Sequence, residues 1–174
     1  MKVGSYVALA GMIAAMACAE LAAQEARGFA VTEGDYTAKD FQFKSGEKLA
    51  ELRLHYRTLG KPERDGNGNI TNAVMILHGT GGSGAQFLQK QFADELFGEG
   101  QLLDANRYFI ILPDGIGHGK SSKPSGGMHA HFPQYDYDDM VAAQHQLLTQ
   151  GLQVEHLRLI FWHVDGVHAC VRVG

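Results

Sequence analysis

Three apolar runs, Ala73–Leu77, Tyr108–Leu112 and Leu157–Phe161, constrain the fold of this chain more than any other feature of it. A run without polar alternation suits a strand covered on both faces, as in a parallel sheet. Between the runs, residues 86–97 and 138–148 carry apolar side chains at helical spacing, the second led by Asp138 and Asp139 as candidate cap and dipole partners. The order strand, helix, strand, helix, strand predicts an α/β fold. Right-handed crossovers then cover both faces of the sheet with helices and gather the functional loops at the carboxyl ends of its strands.

Upstream the period changes. Phe41–Phe43, a turn at Lys44–Glu47 and Leu52–Leu59 alternate apolar with polar residues, which predicts an opening antiparallel hairpin. Residues 24–40 are mixed and polar and read as a mobile connector, with order starting at Phe41. Residues 1–23 read as a signal peptide: Lys2, an Ala-rich apolar run to about Ala19, and small residues at Ala17-Cys18-Ala19 or Leu21-Ala22-Ala23. The run falls short of the ~20 residues a membrane span needs, so export to the periplasm is expected and a membrane span is not. Cys18 follows Ala15-Met16-Ala17, a lipobox lacking its usual Leu, and Cys170 is distant, so neither a disulfide framework nor a CxxC metal site is expected.

The 174 residues, 45% of them hydrophobic, allow one globular domain behind the leader. A formal charge of -4 without clustered Lys and Arg excludes nucleic acid and anionic membrane as expected partners and leaves a small molecule. Residues 60–69 form a surface turn. Asp65, Asn67 and Asn69 are spaced like calcium ligands, but Ile70 stands where such a loop needs Gly and Ile76 where it needs Glu. His129 and His131 lie on an irregular segment with no nearby carboxylate or Cys. No metal and no cofactor are implied.

Two strand ends carry the chemistry. After the first buried strand, His78-Gly79-Thr80-Gly81-Gly82-Ser83-Gly84 lets the backbone approach a ligand and point its N–H groups into one space, which suits an oxyanion or a phosphate. A tight strand-to-helix turn needing positive φ explains the same glycines, and a small anion-binding module built on residues 78–84 is an alternative to an enzyme. After the second, Pro113-Asp114-Gly115-Ile116-Gly117-His118-Gly119-Lys120-Ser121-Ser122 ends in a Gly-Lys-Ser resembling a nucleotide-binding P-loop. That reading is weak, because Asp114 takes the place of the motif's first glycine and Lys123-Pro124 stops the helix it requires.

With both loops in place the chain resembles an α/β hydrolase of the homoserine O-acetyltransferase-like group, from about Phe41 to Ile160. The resemblance rests on Leu54–Gly60, Asn72–Gly82, Tyr108–Ser122, Phe132-Pro133 and Tyr137–Gln144. It implies the N-terminal part of that fold, residues 41–161, and a Ser-His-Asp triad passing an acyl group from a small ester to water or an alcohol. By position the Thr80 N–H would supply half of the oxyanion hole, with His78, Gly79, Gly81 and Gly82 lining the substrate. In this group the strand matching Leu157–Phe161 runs into Gly-x-Ser-Met-Gly, the strained elbow that presents the nucleophile. Here it runs into Trp162-His163-Val164-Asp165-Gly166, no Gly-x-Ser-x-Gly is present, and the acid and base, which follow the elbow, are absent too.

Residues 162–174 therefore read as an aberrant tail, and the genetic code suggests its origin. Trp is encoded only by TGG and His by CA followed by a pyrimidine, so codons 162 and 163 read one base later yield Gly. The next displaced codons permit Thr, Ser, Met and Gly, the missing elbow. The expectation is a frameshifted or truncated, inactive member, with the last buried strand an unpaired edge and the chain poorly soluble. Ester hydrolysis through Ser83, Ser121 or Ser122 with a nearby His is the enzymatic alternative. The oligomeric state is not legible.

Overall fold

The computed structural model describes residues 30–164 and 167–171, with side chains up to Trp162. The signal peptide, Cys18, the start of the connector and part of the tail lie outside the described residues. A six-stranded mixed sheet has the order β1-β2-β4-β3-β5-β6, where the strands are β1 (Val31–Gln42), β2 (Lys48–Leu59), β3 (Ala73–Leu77), β4 (Phe109–Pro113), β5 (Leu159–Val164) and β6 (Val167–Val171). The hairpin β1–β2 is antiparallel and joins β4 antiparallel, while β4, β3 and β5 run parallel.

β3 and β4 are buried on both faces, as their composition requires, whereas Leu159, Ile160 and Phe161 of β5 are only half-buried and Trp162 is exposed. Val74, Ile76, Ile110 and Leu112 pack with Phe87, Ala93 and Phe97 around helix α1 (Lys90–Leu96). Ala73, Met75, Phe109 and Ile111 face the other way, onto Leu148, Val154 and Leu157. Helix α2 (Tyr137–Gln146) closes a third cluster in which Ala143 and Leu147 meet Phe41, Phe43, Leu52 and Leu54 of the hairpin.

Four sequence expectations are corrected. The hairpin begins at Val31 and not at Phe41, so most of the supposed connector is strand. Its order comes from cross-strand partners, Glu33 opposite Arg57 and Asp35 opposite His55, which a polar sequence does not reveal. The segment 86–97 is broken at Gln89 into a 3₁₀ turn (Gly84–Leu88) and α1, without a Gly or Pro to mark the break. Helix α2 is capped by Asp136, not Asp138: the Asp136 carboxylate accepts the Asp138 and Asp139 amides, and Asp139 accepts the Asp136 amide in return. Finally, β5 is not left as an edge. The tail folds back antiparallel, pairing Ile160 with Val171 and Phe161 with Cys170.

Candidate active site

The two Gly-rich loops leave the carboxyl ends of the parallel strands β3 and β4 side by side, and one carboxylate organises them. Asp114 is fully buried. Its Oδ1 accepts from Arg57 Nη1 at 3.0 Å and from the Gly84 amide at 2.8 Å, and its Oδ2 accepts from the Lys120 amide at 2.8 Å. Strand β2, the β3 loop and the β4 loop are thus tied to one charge, each bond shortened and strengthened by that charge. The glycines at these contacts have a steric reason. A Cβ on Gly84 would stand 2.5 Å from the Leu112 carbonyl oxygen, and one on Gly119, at φ +52, would stand 2.0 Å from Asp114 Oδ2.

This arrangement also answers the P-loop resemblance. The Gly-Lys-Ser turn wraps the protein's own carboxylate where a P-loop wraps a phosphate, Lys120 Nζ reaches Glu33, and the segment continues into a 3₁₀ turn at Pro124–Gly126. Ser121 and Ser122 are likewise committed. Ser121 is buried, donates its hydroxyl to the Asp114 carbonyl and accepts the His55 amide, and Ser122 Oγ accepts the Arg53 amide. Among the described residues no serine hydroxyl is hydrogen-bonded to an imidazole. Asp65 fills the supposed calcium loop by accepting the Asn67 and Asn69 amides, and no group of three or more His, Cys, Asp or Glu among the described residues could hold a metal. His129 and His131 sit on an exposed 3₁₀ turn.

In the β3 loop neither the Thr80 nor the Gly81 amide has a partner among the described residues, both residues are exposed, and Gly81 adopts φ +78. The loop is braced from below. The Gly79 carbonyl accepts from His78 Nδ1 at 2.8 Å and from the Gly82 amide at 3.1 Å, and the Gly115 amide donates to His78 Nε2 at 2.9 Å. Burial lowers the His78 pKa, with the His118 charge acting the same way against the Gly79 bond and Asp114.

The charged residues behind this site were not singled out from the sequence. His55 and Arg57 on β2 point at Glu33 and Asp35 on β1: Arg57 Nε donates to Glu33 at 2.9 Å, and His55 Nδ1 pairs with Asp35 at 2.8 Å. His55 Nε2 lies 3.3 Å from Glu33 without a hydrogen bond. Burial works to raise the Glu33 pKa, but the Lys120 hydrogen bond and the Arg57 and Lys120 charges outweigh it and hold the carboxyl below its usual range. Glu33, Asp35 and His55, together with Arg53, Lys120 and Lys123, line a groove of about 530 Å³. The usable signal was the i, i+2 spacing of charges on facing strands, Glu33 and Asp35 against His55 and Arg57.

Comparison with known proteins places the fold. The model of the alpha/beta hydrolase fold matches residues 72–157. A probable acyltransferase of Methanothermobacter thermautotrophicus is 34% identical over 124 residues, a match covering 71% of this chain and 37% of that protein. A homoserine O-acetyltransferase of Methanohalophilus mahii is 31% identical over 136 residues, covering 70% of this chain and 27% of that protein. The chain therefore spans well under half the length of these curated relatives. An acetylester hydrolase from Corynebacterium glutamicum shares the fold, with a TM-score of 0.64 at 24% identity over 79% of this chain and 38% of that one.

Proposed function

Since the chain belongs to the α/β hydrolase superfamily and resembles the N-terminal portion of its homoserine O-acetyltransferase-like members, we propose that it carries the oxyanion half of a site transferring acyl groups of a small ester. The observation that supports this is the unpartnered Thr80 amide, exposed beyond the carboxyl end of β3 on a loop anchored through Gly84 and His78. Backbone donors aimed at an unfilled position and held by a rigid scaffold stabilise developing negative charge without reorganising, which is the largest single contribution in acyl transfer.

The other half of the reading is that these 174 residues do not turn over ester by themselves. The register Leu77↔Trp162 sets the start of the tail beside the Thr80 loop, where the elbow belongs by resemblance. β5 instead continues to Val164 and pairs antiparallel with β6, and Ser121 and Ser122 are tied into the scaffold. A serine hydroxyl without a base is a weak nucleophile. The leader proposed for residues 1–23 would deliver the chain to the periplasm. Protein recovered there with Met1 intact would refute export by cleavage.

Titrating ¹⁵N-labelled chain with methylphosphonate, a tetrahedral anion shaped like the acyl-transfer intermediate, tests the site. The Thr80 amide resonance is expected to move more than those of distant loops such as 65–69. A Thr80 amide indifferent to the anion sinks the oxyanion reading. The same experiment separates the enzyme half-site from a dedicated anion-binding module, which would saturate at micromolar rather than at tens of millimolar concentration.

A further inference from the structure

We infer that His78 is a positioning residue for the Thr80 amide, acting as a single neutral tautomer clamped between the two loops. The inference rests on the reading of Thr80 as the oxyanion donor and deepens it. Its geometric basis is the Gly79–Thr80 peptide. The peptide group is planar and trans, so the Thr80 N–H must point opposite to the Gly79 carbonyl. Whatever holds that carbonyl therefore aims the amide. Two donors hold it, His78 Nδ1 at 2.8 Å and the Gly82 amide at 3.1 Å. The Thr80 N–H is left facing the opposite way, with no partner among the described residues.

The tautomer follows from the second bond. The Gly115 amide can only donate, so His78 Nε2, 2.9 Å away, must accept and carry no proton. The neutral ring then bears its one proton on Nδ1, where the Gly79 oxygen accepts it. A second proton, on Nε2, would face the Gly115 N–H donor to donor and break the bridge between the β3 and β4 loops. The groups around the ring bear on that step in opposite senses. The His118 ring, 5.2 Å away on the β4 loop, opposes a second proton when charged, and the buried Asp114 favours it. From α2 the nearby group is the uncharged Met140 methyl, 3.3 Å from the Cβ position of Gly115.

Long-range ¹H–¹⁵N spectra of the labelled full chain read the tautomer directly, and the Thr80 backbone amide reads the consequence. At pH 8 the His78 ring is expected to show a protonated Nδ1 and a bare Nε2. On acidification the Thr80 amide should move with the same midpoint as the His78 ring. His78→Asn keeps a donor near the Nδ1 position and should leave the Thr80 resonance close to its place, whereas His78→Phe should shift it. An Nε2–H tautomer, or a Thr80 amide that ignores both the His78 titration and His78→Phe in an otherwise preserved spectrum, overturns the inference. Should His78→Phe fail to fold, the titration of the unaltered chain decides alone. These readouts are independent of anion binding. Coupling of the amide to His78 without a response to methylphosphonate would refute the oxyanion reading only, and the reverse pattern would refute the positioning role only.

Discussion

Arg57 Nη1 donates to Asp114 Oδ1 at 3.0 Å in a fully buried pair, and this bond ties the antiparallel hairpin to the two loops of the parallel sheet. Removing one partner of a buried ion pair costs ~3–5 kcal/mol where the other charge is left uncompensated, and Arg57 would keep only the half-exposed Glu33. Asp114→Asn keeps the shape but loses the charge and part of its acceptor capacity toward Gly84 and Lys120. Urea denaturation should show it destabilised by about 3 kcal/mol or more. A loss below about 1 kcal/mol would mean that the pair does not organise the site.

Two glycines of this segment, Gly119 and Gly126, should respond differently to a methyl group. At Gly119 the added Cβ meets the Asp114 carboxylate at 2.0 Å on a positive-φ backbone, whereas at Gly126 the nearest atom is Lys123 Cγ at 4.0 Å. Overpacking costs typically ~1–3 kcal/mol. Gly119→Ala is expected to lower the melting temperature by several degrees and Gly126→Ala to leave it nearly unchanged. Equal effects would count against a packed turn around Asp114.

Stability should fall with acidity in two windows. Burial lowers the His78 pKa from its ordinary 6.5, so the folded state resists a proton that the unfolded chain takes up readily. Its stabilising contribution is complete above pH 6.5 and is lost as pH falls through the lowered folded value. Glu33, also held below its ordinary 4.5, contributes above that value and loses its share as pH falls further. Urea midpoints measured from pH 8 to pH 3 should therefore show a first decline that His78→Asn removes and a later one that Glu33→Gln reduces. A first decline unchanged in His78→Asn would assign it to another histidine.

No covalent labelling by a fluorophosphonate is expected from the purified chain. Losing one oxyanion donor typically costs ~10²-fold to 10³-fold, and no serine hydroxyl among the described residues is hydrogen-bonded to an imidazole. Ser121→Ala should show itself in stability instead, by ~1–3 kcal/mol, because it strips partners from the buried His55 amide and Asp114 carbonyl. Stoichiometric labelling lost in Ser83→Ala, Ser121→Ala or Ser122→Ala would establish a working site.

The origin of the tail has its own check in the gene. The displaced serine codon takes its first two bases from the end of the Val164 codon, so that codon must end in C. Any other third base excludes the displaced elbow.

What the amino-acid sequence determined by itself were the elements whose burial is written in local period. Ala73–Leu77 and Phe109–Leu112 are apolar on both faces because two layers cover them, and the glycines that follow them marked both site loops. The tertiary structure decided what depends on partners far along the chain. β1 is strand because Glu33 and Asp35 find Arg57 and His55, and the Gly-Lys-Ser turn is a scaffold because it encloses Asp114. Thr80 was legible as a candidate from its place in the loop, but the aim of its amide is set by His78 reaching across to Gly115, 37 positions away. Period reports which face a residue buries. The partner of a charge or of a peptide group is chosen only when the sheet brings distant segments within hydrogen-bonding distance, and no local pattern encodes that choice.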